Sequence, residues 1–100
     1  MQDYEIDHMR GCDIVDLRGD KAGKLQDVIF DEHTMTPRWA VVQYGLTHHR
    51  TLVPVSKVYR TDDGNLATSI DKDSIKGAPK IHGDALPTRE CEEYYASDAQ

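Results

Sequence analysis

The chain has 100 residues, of which 38% are apolar and 30% charged, and its mean hydropathy is -0.66. A single domain of this size buries only about 60 to 65% of the surface its unfolded form exposes, so its core is thin. Eighteen acids against twelve bases give a formal charge of -6. That balance disfavours broad nucleic-acid binding and attachment to anionic membranes, both of which draw on clustered Lys and Arg.

No apolar run approaches the ~20 residues that span a bilayer, and Met1-Gln2-Asp3-Tyr4-Glu5 lacks the basic and hydrophobic regions of a signal peptide. The expected location is cytoplasmic. Cys12 and Cys91 lie far apart in the sequence, and without an export signal they read as free buried thiols rather than a disulfide.

In chain order, Tyr4, Ile6 and Met9 fit one side of a short helix or lead-in over residues 1–10. From Cys12 to Leu17 the pattern becomes a strand, followed by a Gly-bearing turn over Arg18-Gly19-Asp20-Lys21-Ala22-Gly23. A second strand runs from Lys24 to Asp31 and stops in the polar stretch that ends at Pro37. The third, Arg38 to Tyr44, sets Trp39 and Val41 on one face and Ala40, Val42 and Tyr44 on the other, so both faces need cover.

Arg50 to Val55 is a fourth strand whose Pro54 removes a ladder donor, which places it at an edge, bulge or strand end where the sheet opens or bends. After Lys57-Val58-Tyr59-Arg60, the run Asp62-Asp63-Gly64-Asn65 is a hairpin signal leading to a last strand, Leu66 to Ile70. Five or so short strands at roughly ten-residue spacing predict an antiparallel meander closing into a small barrel or sandwich. Asp71 then caps a short helical turn through Ile75, and Pro87-Thr88 opens an acidic helix to Tyr95 that could cover one barrel face.

The chemistry-bearing residues point away from catalysis. His48 and His49 are adjacent, and neighbours on an extended chain face opposite ways, so the pair reads as a solvated loop and no metal site is expected. Asp71-x-Asp73 lacks the Gly and the bidentate Glu of a calcium loop. Neither a G-x-S-x-G elbow nor a cysteine-nucleophile signature occurs, so no catalytic residue and no cofactor are expected. Asp27 shares strand parity with Leu25 and Ile29, which aims it inward, where it needs hydrogen bonds or a partner charge; a structural role is expected for it.

Trp39, Tyr44, Tyr59, Tyr94 and Tyr95 are the amphipathic groups that interfaces favour, and a thin two-faced sheet leaves some of them to be covered by another chain. They are the candidate interface residues, and homodimerisation is the expectation they motivate. The other reading, an RNA- or ribosome-associated assembly factor, would use Arg38, Arg50, Lys57 and Arg60 as a local basic patch.

Gly11-Cys12-Asp13-Ile14-Val15-Asp16, and then Asp20 through Asp31 with its Ala22-Gly23-Lys24-Leu25-Gln26-Asp27-Val28 core, resemble the opening of a PRC-barrel domain. Trp39-Ala40-Val41-Val42 and Leu52-Val53-Pro54-Val55 stand where that family's third strand and its Val-Pro strand stand. The tail, Ile70 to Ile81 with its Ala78-Pro79 step and then Leu86 to Tyr95, is similar to the PRC-barrel of bacterial stress-response proteins.

The resemblance covers about residues 10–95. It implies a lead-in over 1–10, the barrel over 11–83, and an acidic helix and tail over 84–100. It also implies contact roles rather than catalytic ones, as in the cytoplasmic subunit of photosynthetic reaction centres and a ribosome-maturation factor. The expectation is therefore a non-enzymatic adaptor that binds a protein partner, tied to stress response, with no membrane contact.

Overall fold

The computed structural model describes residues 8–97. Tyr4 and Ile6 lie outside them, whereas Met9 is 2% exposed and belongs to the core. Six strands follow in order: β1 Asp13–Val15, β2 Lys21–Phe30, β3 Pro37–Tyr44, β4 His49–Pro54, β5 Val58–Arg60 and β6 Leu66–Thr68. Two helices follow, α1 Lys72–Gly77 and α2 Thr88–Ser97. The turns form where short polar side chains can take over backbone pairing. Asp31 Oδ1 accepts from the N–H groups of His33 and Thr34 at 2.8 and 3.0 Å, and Gly64, at φ 87°, supplies the left-handed residue between β5 and β6.

The strands form one sheet in the order β4-β3-β2-β1-β6-β5. Neighbours are antiparallel except β1 and β6, which run parallel through Ile14↔Leu66 and Val15↔Ala67. This corrects the expected closed antiparallel barrel: the sheet is mixed, and no ladder joins β4 to β5 among the described residues. The cause is Pro54. It ends β4 and caps a 3-10 turn, Val55–Lys57, after which the chain restarts as β5 on the far edge of the sheet and reaches β1 only through β6.

The sheet nevertheless curls. A flat sheet would hold its two edge strands roughly 24 Å apart, five spacings of about 4.8 Å. Only Val55–Lys57 separates β4 from β5, and that much chain spans at most about 14 Å. The two edges must therefore face one another across an unclosed seam.

Two bulges set which residues point inward. Asp13 pairs with Lys24 and Ile14 with Gly23, but Val15 pairs with Lys21, leaving Ala22 as the extra residue. Leu25 pairs with Val42 and Asp27 with Val41, leaving Gln26 extra. Leu25 and Val28 therefore both enter the inner core with Ile14, Ala40, Val42 and Leu66. Each fully buried Leu, Ile or Val among them contributes about 1.5–3 kcal/mol.

The alternation expected along β3 holds. Ala40 and Val42 face this inner core, while Trp39 and Val41 face a second cluster with Leu52, Ile81 and Cys91. Helix α1, capped by the Asp71 carboxylate on the Asp73 N–H at 3.2 Å, drives Ile75, 0% exposed, into the inner core. Helix α2 places Cys91 and Tyr95, four residues apart and so on one helix face, over the second cluster.

Candidate functional site

The five candidate aromatics do not converge on one surface. Trp39 is 4% exposed and packs in the cluster with Val41, Leu52, Ile81 and Cys91, with the Arg38 guanidinium 5.8 Å from its ring. Tyr95 donates to the Leu52 carbonyl at 2.8 Å, and Tyr94 donates to the Ser74 carbonyl at 2.6 Å. Their rings meet edge to face at 5.1 Å. Tyr44, 7% exposed, donates to the Lys76 carbonyl at 3.2 Å. Trp39, Tyr44 and Tyr95 tie the helices to the sheet, and Tyr94 ties α2 to α1. Tyr59, on the edge strand β5, is 44% exposed.

Asp27 departs from its expected orientation. The bulge at Gln26 breaks its parity with Leu25, so it lies half-buried opposite Val41. Arg10 pairs with it at 2.9 Å, and the Val28 N–H also donates to it. Burial opposes ionisation there, but the Arg10 and Val28 bonds outweigh it and hold the carboxyl below its ordinary pKa. The structural role expected for Asp27 fits these contacts.

Asp16 was not singled out by pattern, because nothing in Ile14-Val15-Asp16-Leu17 marks it as more than strand-end polarity. It is 4% exposed and accepts from the N–H groups of Arg18, Asp20 and Lys72 at 2.9, 3.0 and 2.9 Å. The Lys72 bond ties the β1–β2 turn to the first turn of α1. It is also the main reason that the Asp16 pKa lies below the ordinary carboxylate range.

The four arginine and lysine residues read as a basic patch are dispersed. Arg38 pairs with Glu92 at 2.7 Å and Asp31 at 3.7 Å, whereas Arg50, at the opposite end of the β3–β4 ladder, donates to the Gly83 carbonyl at 2.9 Å. Lys57 lies in the 3-10 turn and Arg60 ends β5.

A different basic group is assembled instead. Lys21, Lys24, His48 and Lys76 line a recess of about 310 Å³ whose floor includes Gly23 and Gly45. The bulge at Ala22 brings Lys21 and Lys24 to one side, although three residues apart they would face opposite ways on a regular strand. Both approach Asp13, at 3.3 and 3.7 Å. Gly23 keeps the floor low, since a Cβ there would lie 2.6 Å from the Gln43 carbonyl oxygen and from Val42 Cγ1.

Two exposed apolar side chains stand in turns near this recess, Leu46 next to its lining residue Gly45. The β1–β2 and β3–β4 turns lie at the same end of the sheet, and they hold Leu17 at 74% and Leu46 at 100% exposure. His48, at φ 56°, completes the second turn, and His49 bonds Thr47 Oγ1 at 2.7 Å. Among the described residues, no three His, Cys, Asp or Glu side chains lie together as a metal site would require.

A family model for the PRC-barrel domain matches residues 1–75. The chain belongs to the PRC-barrel domain family. No curated protein matches the chain.

The PRC-barrel domain is a protein-interaction type of module. The match takes in all six strands and ends at Ile75, the residue with which α1 plugs the inner core. Ile81, Cys91 and Tyr95 lie beyond it, so the cover over Trp39 comes from chain outside the matched region. Among the described residues no helix is long and apolar enough to cross a membrane.

The perturbed carboxyl groups of this PRC-barrel chain share one direction. Asp16, Asp27, Asp31, Asp63 and Asp71 are all held ionised by hydrogen bonds or an ion pair. Burial pushes the Cys91 thiol up, toward its neutral form. Asp16, Asp31, Asp63 and Asp71 accept from N–H groups of turns or a helix end, whereas Asp27 sits within β2 against Arg10.

Proposed function

We propose that this chain is a non-enzymatic adaptor that works by binding another protein, without a cofactor. The observation that carries this reading is the pair Leu17 and Leu46, two large apolar side chains held in solvent by tight turns at one end of the sheet. Apolar groups that a fold positions outside its core mark contact surfaces when they cluster beside polar groups. The resemblance of the tail to bacterial stress-response PRC-barrels supports a role in that response.

The homodimer expectation rests on aromatic residues that need cover. Trp39 and Tyr44 are covered within the chain, so the reading favours a foreign partner. For the assembly-factor reading, Arg38 and Arg50 are engaged within the chain, which leaves no four-residue patch for RNA.

Site-specific photocrosslinking in the native host tests the reading. A photoreactive phenylalanine analogue replaces Leu46 in one variant and the exposed Glu32, on the opposite turn, in another. The expected result is a discrete protein adduct from position 46 alone. A nuclease-sensitive adduct would replace the reading with RNA binding, and an adduct of twice the chain mass would replace it with self-association. No adduct from position 46 would remove it.

A further inference from the structure

We infer that the recess formed by Lys21, Lys24, His48 and Lys76 receives an acidic peptide segment of the partner protein, its carboxylates on the lysines and an apolar side chain against Leu46. The inference rests on the protein-binding reading and names the chemistry that reading would recognise. The first argument is charge. The chain carries -6 overall, yet three lysines from two separate elements, β2 and α1, line one recess. Asp13 is the carboxylate that touches Lys21 and Lys24.

At physiological salt the Debye length is about 8 Å, so a bound segment senses these lysines more than the distant acidic surface. Single-stranded nucleic acid would gain from a longer basic track and from stacking platforms, and among the described residues no Trp, Tyr or Phe beyond the buried Tyr44 lines the recess.

The second argument is shape. A recess of about 310 Å³ sits at the lower limit for small-molecule sites, which enclose most of their ligand between apolar walls. Here the walls are lysine stems and turn backbone, and the Lys21 and Lys24 side chains are 54% and 53% exposed. Such a site holds a chain lying across it better than a metabolite sunk into it. Leu46, wholly in solvent between Gly45 and His48, gives that chain an apolar contact beside the charges.

The test uses the full ¹⁵N-labelled chain and a blocked hexapeptide of alternating glutamate and leucine, followed by NMR titration. Amide shifts are expected at Ala22, Gly23, Gly45, His48 and Lys76, weakening as salt rises from about 50 to about 300 mM, where the Debye length falls to roughly 5–6 Å. Lys24→Gln and Lys76→Gln should each weaken binding roughly two- to fivefold, the scale of an exposed ion pair. Leu46→Ser should weaken the glutamate-leucine peptide and leave an all-glutamate peptide unaffected.

Equal binding of a glutamine-leucine peptide would overturn the inference. So would shifts confined to another face, or saturation of the same amides by inorganic phosphate or an RNA oligomer but not by the glutamate peptide. If position 46 crosslinks a protein in cells while these amides stay silent, the adaptor reading stands and the acidic-segment inference fails. Recess binding without a cellular adduct would remove the adaptor reading and, with it, the assignment of the acidic segment to a partner protein.

Discussion

The Tyr95 hydroxyl donates to the Leu52 carbonyl at 2.8 Å, two residues along β4 from the Arg50 carbonyl, which accepts from the Ile81 N–H at 2.8 Å. Carbonyls two apart on a strand point the same way, so both bonds lie on the outer edge of β4. An unpaired edge is a template for another chain, and here the tail occupies it. Tyr95→Phe removes one net hydrogen bond, worth about 1 kcal/mol, and should lower Tm by about 4–8 °C for a domain of this size. Its Trp39 emission should match the parent's. Deleting residues 88–100 should instead shift that emission to longer wavelength, because Trp39 loses the cover of α2; an unshifted spectrum would contradict the packing described.

At Gly23 the backbone passes so near its neighbour that a methyl group has no room. The atoms in the way are the Gln43 carbonyl oxygen and Val42 Cγ1, each 2.6 Å from a Cβ at this position. The carbonyl belongs to the ladder and cannot swing aside, and Val42 is 0% exposed. Gly23→Ala should therefore cost about 1–3 kcal/mol, the range for overpacking a close-packed core. Urea denaturation measures it, and an unchanged midpoint would mean that β2 and β3 separate more readily than the register implies.

The sequence made much of this fold legible, and for a physical reason. Strand limits follow from local chemistry, Pro54 and Gly64 among it, and the two-sided alternation of Trp39-Ala40-Val41-Val42 is visible without any partner strand. The bulges at Ala22 and Gln26 are not, because an extra residue appears only once register is known. They decide that Lys21 and Lys24 share a side and that Asp27 does not follow Leu25. The parallel pairing of β1 with β6 is likewise set by residues some fifty positions apart, Ile14 and Leu66. Aromatic content suggested an interface, whereas most of those rings pack within the chain.

The two thiols should differ in reactivity. Cys91 is 0% exposed beneath α2, and burial, the largest influence on it, pushes its pKa up. Only the thiolate attacks a disulfide reagent. Cys12 is half-buried beside the His8 carbonyl, 3.7 Å from its Sγ. A thiol-reactive chromophore should therefore label one group in the native chain and the second only at the rate of unfolding. Cys91→Ala should remove the slow phase and keep the fast one. Two fast phases would show that α2 opens on its own.

Asp16 gives the acid limb of stability a definite sign. The Lys72 N–H, helped by those of Arg18 and Asp20, favours the ionised carboxylate in the folded chain against the cost of burial, so its folded pKa lies below its unfolded one. The unfolded chain then binds the proton first as pH falls. The stabilisation is fully present above the ordinary carboxylate range and is lost as pH drops below about 4 toward the lower folded value. Asp27, Asp31, Asp63 and Asp71 share this direction, so the wild-type acid limb alone cannot isolate Asp16. The difference between wild type and Asp16→Asn can. An asparagine accepts through one oxygen and turns an NH₂ group toward one of the three donors, which loosens α1 from the β1–β2 turn. The variant should be less stable at pH 7, and its deficit should shrink as pH approaches 3. A deficit constant from pH 7 to 3 would mean that Asp16 acts through its shape and not through its charge.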